Sequence, residues 1–220
     1  MNIIEDIHLA QQHIIDVFSE EDSLDLAVDY YYPKCKHSKR LRNAMKAKIL
    51  SNPGWLGNFL ELFAFDREHD NKAERDLPCA EVKTIQLQKT YSGKSFSFRS
   101  LSITKANRLD LAKKEFDSHF ALQSKSSDML VAYFHKHQLL RVGIIQPRGS
   151  EYEQAFSDYD QLASYASNSS DFQFNHQSWK TSKESILTLT SKKANGKRGK
   201  AISFTSPVIR NCFYENSICA

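Results

Sequence analysis

Asp76, Glu81 and Lys83 are the residues whose types and spacing suit a definite chemistry. They stand in Asp76-Leu77-Pro78-Cys79-Ala80-Glu81-Val82-Lys83-Thr84. On an extended strand, side chains alternate between faces, so Glu81 and Lys83 point the same way. Two carboxylates beside an ammonium make a site for a hard cation. Mg²⁺ binds through one or two carboxylates and keeps waters that a phosphate can displace. Lys83 beside such an ion would orient or help deprotonate an attacking water, and the whole set would hydrolyse a phosphodiester. The plain alternative is an ion pair on a half-exposed strand, because Glu-X-Lys often arises by chance.

Strand parity constrains this set. Asp76 lies five residues before Glu81, an odd separation that puts the two on opposite faces of a straight strand. Both reach one ion only if the chain turns between them. Pro78 is placed to make that turn, since proline lacks an N–H and holds φ near about −65°. Glu74 lies seven residues before Glu81 and needs the same bend. Asp76 is the preferred first ligand and Glu74 the fallback.

The elements that must position these residues follow from periodicity. Ile3, Ile7, Ala10, Ile14 and Phe18 predict an amphipathic helix over residues 3–19. Ser23 is read as the cap of a second helix through Tyr30. A basic block follows Pro33, with a helix predicted from Lys39 to Leu50. It reads as a solvated face or as a phosphate-contacting arm. Pro53 suits the first turn of a helix that places Glu61 late, next to Leu60. After the strand at Glu81, the alternating run Ser95–Ile103 predicts an antiparallel hairpin with it. A helix from about Lys105 to Phe120 and a loop at Gln123–Asp128 lead to the strand Met129–Phe134. His135-Lys136-His137 is read as a solvent-exposed tip before another strand. A helix to Ala166 is predicted to bury Tyr152, Phe156, Tyr159 and Ala163. A short strand over residues 185–190 leads into a basic loop, Ser191 to Lys200, with five Lys/Arg and two Gly in ten residues. Lys192, Lys193, Lys197 and Arg198 of that loop suit a phosphate backbone; a solvated linker is the alternative.

The wording of the middle of the chain carries a family resemblance. Gly54-Trp55-Leu56-Gly57 followed by Leu60-Glu61, then Lys72-Ala73-Glu74-Arg75-Asp76, then Glu81-Val82-Lys83-Thr84-Ile85, resembles the MutH family. A helical glutamate feeding a strand-borne Asp/Glu/Lys set is the layout of the PD-(D/E)XK nucleases to which that family belongs. It comprises the strand-nicking endonuclease of methyl-directed mismatch repair and related GATC-cutting restriction enzymes.

The resemblance implies an α/β PD-(D/E)XK restriction-endonuclease-like fold, a central mixed sheet flanked by helices. It implies one endonuclease domain over residues 1–220, with a helical N-terminal part of about 50 residues. The expected catalytic residues are Glu61, Asp76, Glu81, Lys83 and Lys125, with Asp76, Glu81 and Glu61 holding Mg²⁺, for which Mn²⁺ substitutes. Lys192 matches a family lysine, and Tyr214 matches the tyrosine that senses adenine methylation. Thr190 stands where the family has arginine, a departure at the recognition segment.

The expected function is a Mg²⁺-dependent, sequence-specific DNA endonuclease of the strand-nicking, mismatch-repair kind. The alternatives are a type II restriction endonuclease and a catalytically inactive DNA-binding protein. Its partners would be double-stranded DNA and either a mismatch-repair activator protein or a cognate DNA methyltransferase. One site per chain implies a monomer in solution that pairs on DNA when both strands are cut.

Composition agrees with that class. The 220 residues are 40% hydrophobic and 25% charged, with a formal charge of +4, suited to a polyanion partner. No apolar run approaches the roughly 20 residues of a membrane span, and no basic leader stands at Met1–Asp6. The four cysteines lack paired spacing, as expected of reduced thiols in a cytoplasmic, nucleoid-associated protein.

Overall fold

The computed structural model describes residues 5–67, 75–106, 111–112, 116, 120–168, 182, 184–194 and 197–220. Of residues 120–121, 192–194 and 197–198 it describes the backbone alone. The chain is α/β: a mixed sheet is flanked by helices.

The apolar run Met129–His135 organises the molecule. As strand β5 it is buried at six consecutive positions, Met129 through Phe134. A strand apolar on both faces must lie inside a sheet that is covered twice. Alternation then sorts its side chains. Leu130, Ala132 and Phe134 enter one core, and Met129, Val131 and Tyr133 enter the other.

The first core is built by helices. α1 (Ile7–Phe18) turns Ala10, Ile14 and Phe18 inward and lies on β6 (Gln138–Ile145). Its N-terminus is capped by Asp6, which accepts from the backbone N–H groups of His8 and Leu9. α2 (Ser23–Tyr31) is capped by Asp22, not by Ser23. The Asp22 carboxylate reaches the N–H groups of Leu24 and Asp25, while the Ser23 hydroxyl is fully buried. α3 (Lys39–Leu50) runs as predicted, and Arg42 and Lys46 pair with Asp25 and Asp29 of α2. α4 (Trp55–Phe65) buries Trp55, Leu56, Phe59, Leu60 and Glu61 against β1 (Glu81–Gln86).

One expected pairing is corrected. The strand at Glu81 does not form a hairpin with Ser95–Ile103. β1 pairs in parallel with β5, Glu81 opposite Met129 and Lys83 opposite Val131. The 95–103 segment splits into β3 (Phe96–Ser97), paired with β2 (Gln88–Lys89), and β4 (Leu101–Ala106), in another sheet. The reason lies in β5, whose buried backbone N–H and C=O groups need a ladder on each edge, and β1 and β6 supply them. The sheet order is β1-β5-β6-β9, where β9 is Ser217–Cys219.

The helix predicted from Lys105 to Phe120 begins as strand, since Lys105 and Ala106 close β4; Leu109 lies outside the described residues. Gln123–Ser127, read as loop, belongs to helix α5 (Phe120–Ser127).

The second core receives α6 (Ser150–Asn168) and α7 (Ser206–Glu215). α6 buries Ala155, Tyr159, Leu162 and Ala166, while Tyr152 and Phe156 stay on its half-exposed flank. The basic loop at 191–200 is also corrected. β7 (Leu187–Ala194) and β8 (Lys197–Phe204) continue as one hairpin through Ala194 opposite Lys197, and β4 completes this antiparallel sheet. The β5–β6 tip is as predicted, with Lys136 and His137 at φ 49° and 71°. His137 is half-buried against Trp55, with ring centroids 5.7 Å apart, rather than solvent-exposed.

Gly143 of β6 lets α7 lie against the sheet. A Cβ there would meet Cys212 Sγ at 2.4 Å and the Cys212 carbonyl at 3.3 Å. Gly143→Ala is therefore expected to lose about 1–3 kcal/mol of stability by overpacking, read from urea unfolding. Adding Cys212→Ala should recover part of that loss. Additive losses would mean that the contact does not govern the packing.

Candidate active site

The start of β1 is where the predicted chemistry gathers. The turn before it is a closed loop: Leu77 N–H donates to Ala80 O at 2.9 Å and Ala80 N–H to Leu77 O at 3.3 Å. Pro78 sits inside that turn, where proline's fixed φ favours reversal. The bend that parity demands between Asp76 and Glu81 is thus present. It folds the Asp76 carboxylate back over the strand, where Oδ2 accepts from the Val82 N–H at 2.9 Å.

Glu81 is fully buried. Its Oε1 accepts from Lys83 Nζ and, at 3.0 Å, from Lys125 Nζ. Its Oε2 is buried and has no hydrogen-bond partner. Lys83 Nζ also lies 3.5 Å from Asp76 Oδ2 and donates to Val82 O at 3.1 Å. Asp76, Glu81, Lys83 and Lys125 therefore form one compact group of two carboxylates and two ammoniums. The charges compensate one another, which is how buried charges are tolerated.

Burial pulls the Lys83 ammonium down. The carboxylates of Glu81, Asp76 and Glu61 outweigh it and hold Lys83 above the ordinary lysine range. Lys83 is a cation across the physiological range.

Lys125 belongs to this group because α5 carries it there. The clamp is Arg75. Its Nε donates to Ser124 O at 2.5 Å and its Nη1 to Cys79 O at 3.3 Å. Its Nη2 donates to Ser127 Oγ and, at 2.9 Å, to Asp128 Oδ2. One guanidinium thus ties the Asp76 turn to the end of α5. Asp128 is further held by Gln146 at 2.7 Å and by Arg148 at 2.9 Å. Burial raises the Asp128 carboxyl, but the Gln146 bond and the Arg75 and Arg148 charges together hold it below the usual carboxylate range. Arg75 stood inside the quoted Lys72–Asp76 block and Asp128 directly before an apolar strand. Neither spacing revealed that they bond each other.

The other predicted residues fall as follows. Glu61 is buried on α4, and its charge reaches Lys83. Glu74 lies outside the described residues. Lys192 and Lys193 on β7 and Lys197 and Arg198 on β8 flank the hairpin tip, Lys192 opposite Gly199 and Lys193 opposite Arg198. Their side chains lie outside the described residues. Tyr214, 53% exposed at the end of α7, packs edge-on against Phe98 and Phe213 at 5.8 and 5.0 Å. Thr190 bonds Ser203 Oγ at 2.6 Å within the hairpin.

Among the described residues no three His, Cys, Asp or Glu side chains converge as a metal cluster. The donor chemistry at hand is carboxylate oxygen from two residues, with the buried Glu81 Oε2 unsatisfied. That fits Mg²⁺, which asks for one or two carboxylates and completes its shell with water and phosphate. It does not fit zinc, which prefers sulfur and nitrogen ligands. No described helix is long and apolar enough to cross a membrane.

No protein-family model matches the chain, and no curated protein matches it at a significant level. The likeness to the MutH family rests on the residues quoted for it.

The depressed Asp128 carboxyl sets a pH dependence. Its contribution to stability is present above the ordinary carboxylate pKa of about 3.9 and is lost as pH falls through the lower folded value. Asp128→Asn should therefore be less stable than the parent at pH 6, and the gap should close below about pH 4. Urea midpoints taken between those limits test this; a gap that stays constant with pH would remove the charge from the account.

Proposed function

We propose that this chain is a Mg²⁺-dependent DNA endonuclease with a PD-(D/E)XK-type site, resembling the strand-nicking enzymes of mismatch repair. The observation that carries the reading is the buried Glu81 carboxylate, whose Oε1 serves two lysines while Oε2 has no partner. A carboxylate buried for structure alone would satisfy both oxygens, because an unmet buried charge is costly. The match in wording over Gly54–Glu61, Lys72–Asp76 and Glu81–Ile85 points the same way.

Asp76 and Glu81 would hold the ion, with Glu61 acting through its charge. When bound, Mg²⁺ would stabilise the charge developing on the phosphate and lower the pKa of a coordinated water. The chain's own groups then have definite tasks. Lys83, held as an ammonium, orients the attacking water and offsets the carboxylate charge that would repel a phosphate. Lys125, bonded to Glu81 from α5, presents its ammonium to the scissile phosphate. The water oxygen bonds to phosphorus as the water releases one proton to solvent, the opposite P–O bond breaks, and the leaving oxygen takes up a proton from solvent. The β7–β8 hairpin supplies the basic arm, with Lys192, Lys193, Lys197 and Arg198 for the DNA backbone, and α7 supplies Tyr214 for a base edge.

One observation favours the restriction-enzyme alternative. Thr190, at the position of the family's recognition arginine, spends its hydroxyl inside the hairpin on Ser203. The recognition sequence would accordingly differ from GATC.

Supercoiled plasmid should be cut with Mg²⁺ or Mn²⁺, while Ca²⁺ should support binding without cutting. Cutting in EDTA would end the proposal. Glu81→Ala and Lys83→Ala should abolish cleavage while leaving DNA affinity within a few-fold. Lys192→Ala and Lys197→Ala should weaken binding and lower its salt slope by about one unit per lost contact. A parent protein that binds DNA but never cuts it would be the inactive binding protein.

The two candidate first acids are separable. Asp76→Asn should lose cleavage by orders of magnitude at every Mg²⁺ concentration, and Glu74→Gln should stay near the parent rate. The reverse pattern in a Mg²⁺ titration would assign the role to Glu74.

A further inference from the structure

A second feature adjoins the carboxylate group without sharing its side chains. It is an open cavity of about 700 Å³, walled by Arg67, Arg75, Arg148, Gln123, Ser124 and Tyr152. The turn residues Leu77 and Pro78 also line it, so it begins one residue from Asp76.

Its electrostatics are those of an anion site. Three guanidiniums line it, and among the described residues the carboxylate that pairs with them is Asp128. Asp128 bonds only Arg75 and Arg148 of the three, so among the described residues that line the pocket positive charge is in excess.

The donors also remain available. A guanidinium offers five N–H groups. Arg75 spends most of its own on Ser124, Cys79, Ser127 and Asp128. Arg148 gives Nη2 to Asp128, and its side chain is 65% exposed. Arg67 gives Nη1 to the Asp76 carbonyl and is otherwise exposed. Paired N–H groups on a planar fork match the oxygens of a phosphate. Gln123 and Ser124 add neutral donors on the same wall.

We propose that this pocket is a phosphate subsite, holding the phosphate of the substrate strand next to the one cleaved, with Arg148 and Arg67 as its donors. The inference rests on the nuclease reading. A nucleic-acid strand is a continuous row of phosphates, about 3.4 Å apart along the helix axis. A strand laid at Asp76 brings its next phosphates to the Leu77–Pro78 turn, where the pocket opens. Arg67 also grips the Asp76 backbone, so a filled pocket steadies the turn that aims the carboxylate.

The test is fluorescence anisotropy with a labelled 20-base-pair duplex in EDTA, titrated with KCl. It uses the parent and the variants Arg148→Gln, Arg148→Lys and Arg67→Gln. Arg148→Gln and Arg67→Gln should each lower the slope of log affinity against log salt by about 0.9, the loss of one phosphate contact. Arg148→Lys should keep the slope while binding more weakly. In Mg²⁺, Arg148→Gln should raise KM more than it lowers kcat, as expected for lost uniform binding. Thermal unfolding checks the fold, since Arg75 and Gln146 still hold Asp128 in that variant.

Unchanged salt slopes in both glutamine variants would overturn the subsite. So would tight binding of free deoxyadenosine monophosphate that Arg148→Gln abolishes while duplex binding stays intact, since the pocket would then serve a free nucleotide. A parent that binds the duplex with these slopes but never cuts it overturns the nuclease reading and leaves the subsite standing. A parent that cuts while the variants bind like it overturns the subsite alone.

Discussion

Glu81 carries a charge where water does not reach it, and the surroundings of β1 follow from that. A buried carboxylate costs several kcal/mol unless neighbours compensate it. Here the compensation comes from two cations. Lys83 shares its strand face and Lys125 arrives from α5, while Asp76, itself a carboxylate, is folded back by the turn at Pro78 and holds Lys83 in place. Each compensating group must be fixed by its own element, so the placement of α5 and of the turn is tied to one side chain. The remaining unsatisfied oxygen, Glu81 Oε2, is a local cost that a well-packed protein would otherwise remove.

Arg75 makes that arrangement rigid. Its guanidinium bonds the Cys79 carbonyl in the turn, the Ser124 carbonyl and Ser127 hydroxyl of α5, and the Asp128 carboxylate at the head of β5. The Glu81 N–H donates to the Asp128 carbonyl at 2.9 Å, so the β1–β5 ladder begins where the clamp ends. Backbone pairing and side-chain clamping thus act on the same few residues. The cationic pocket lies against the same turn, so charge on one side of it and carboxylates on the other are held at a fixed separation.

The two cores divide the labour. α1, α2 and α4 cover one face of the sheet and contribute Glu61 to the edge of the site. α6, α7 and the β4–β8–β7 sheet cover the other. That second sheet carries the backbone of Lys192, Lys193, Lys197 and Arg198 on paired strands rather than on a loose loop.

Much was legible in the chain itself. Helical periodicity marked α1, α3 and α4, because each needs only one apolar stripe of its own residues. Odd spacing between Asp76 and Glu81 called for a bend, and Pro78 named its place; both are local facts of backbone geometry. The types Asp, Glu and Lys named the residues that the structure brings together at the start of β1. Tertiary structure decided the rest. A continuous apolar strand such as Met129–Phe134 does not say which neighbours fill its edges, so the parallel partner of β1 was invisible in sequence. Lys125 sits 44 residues from Glu81, and Arg75 reaches Asp128 across 53. Such ion pairs have no local pattern. The lysine pairs of Glu81 exist because its buried charge must be met by whatever cations the fold brings within reach.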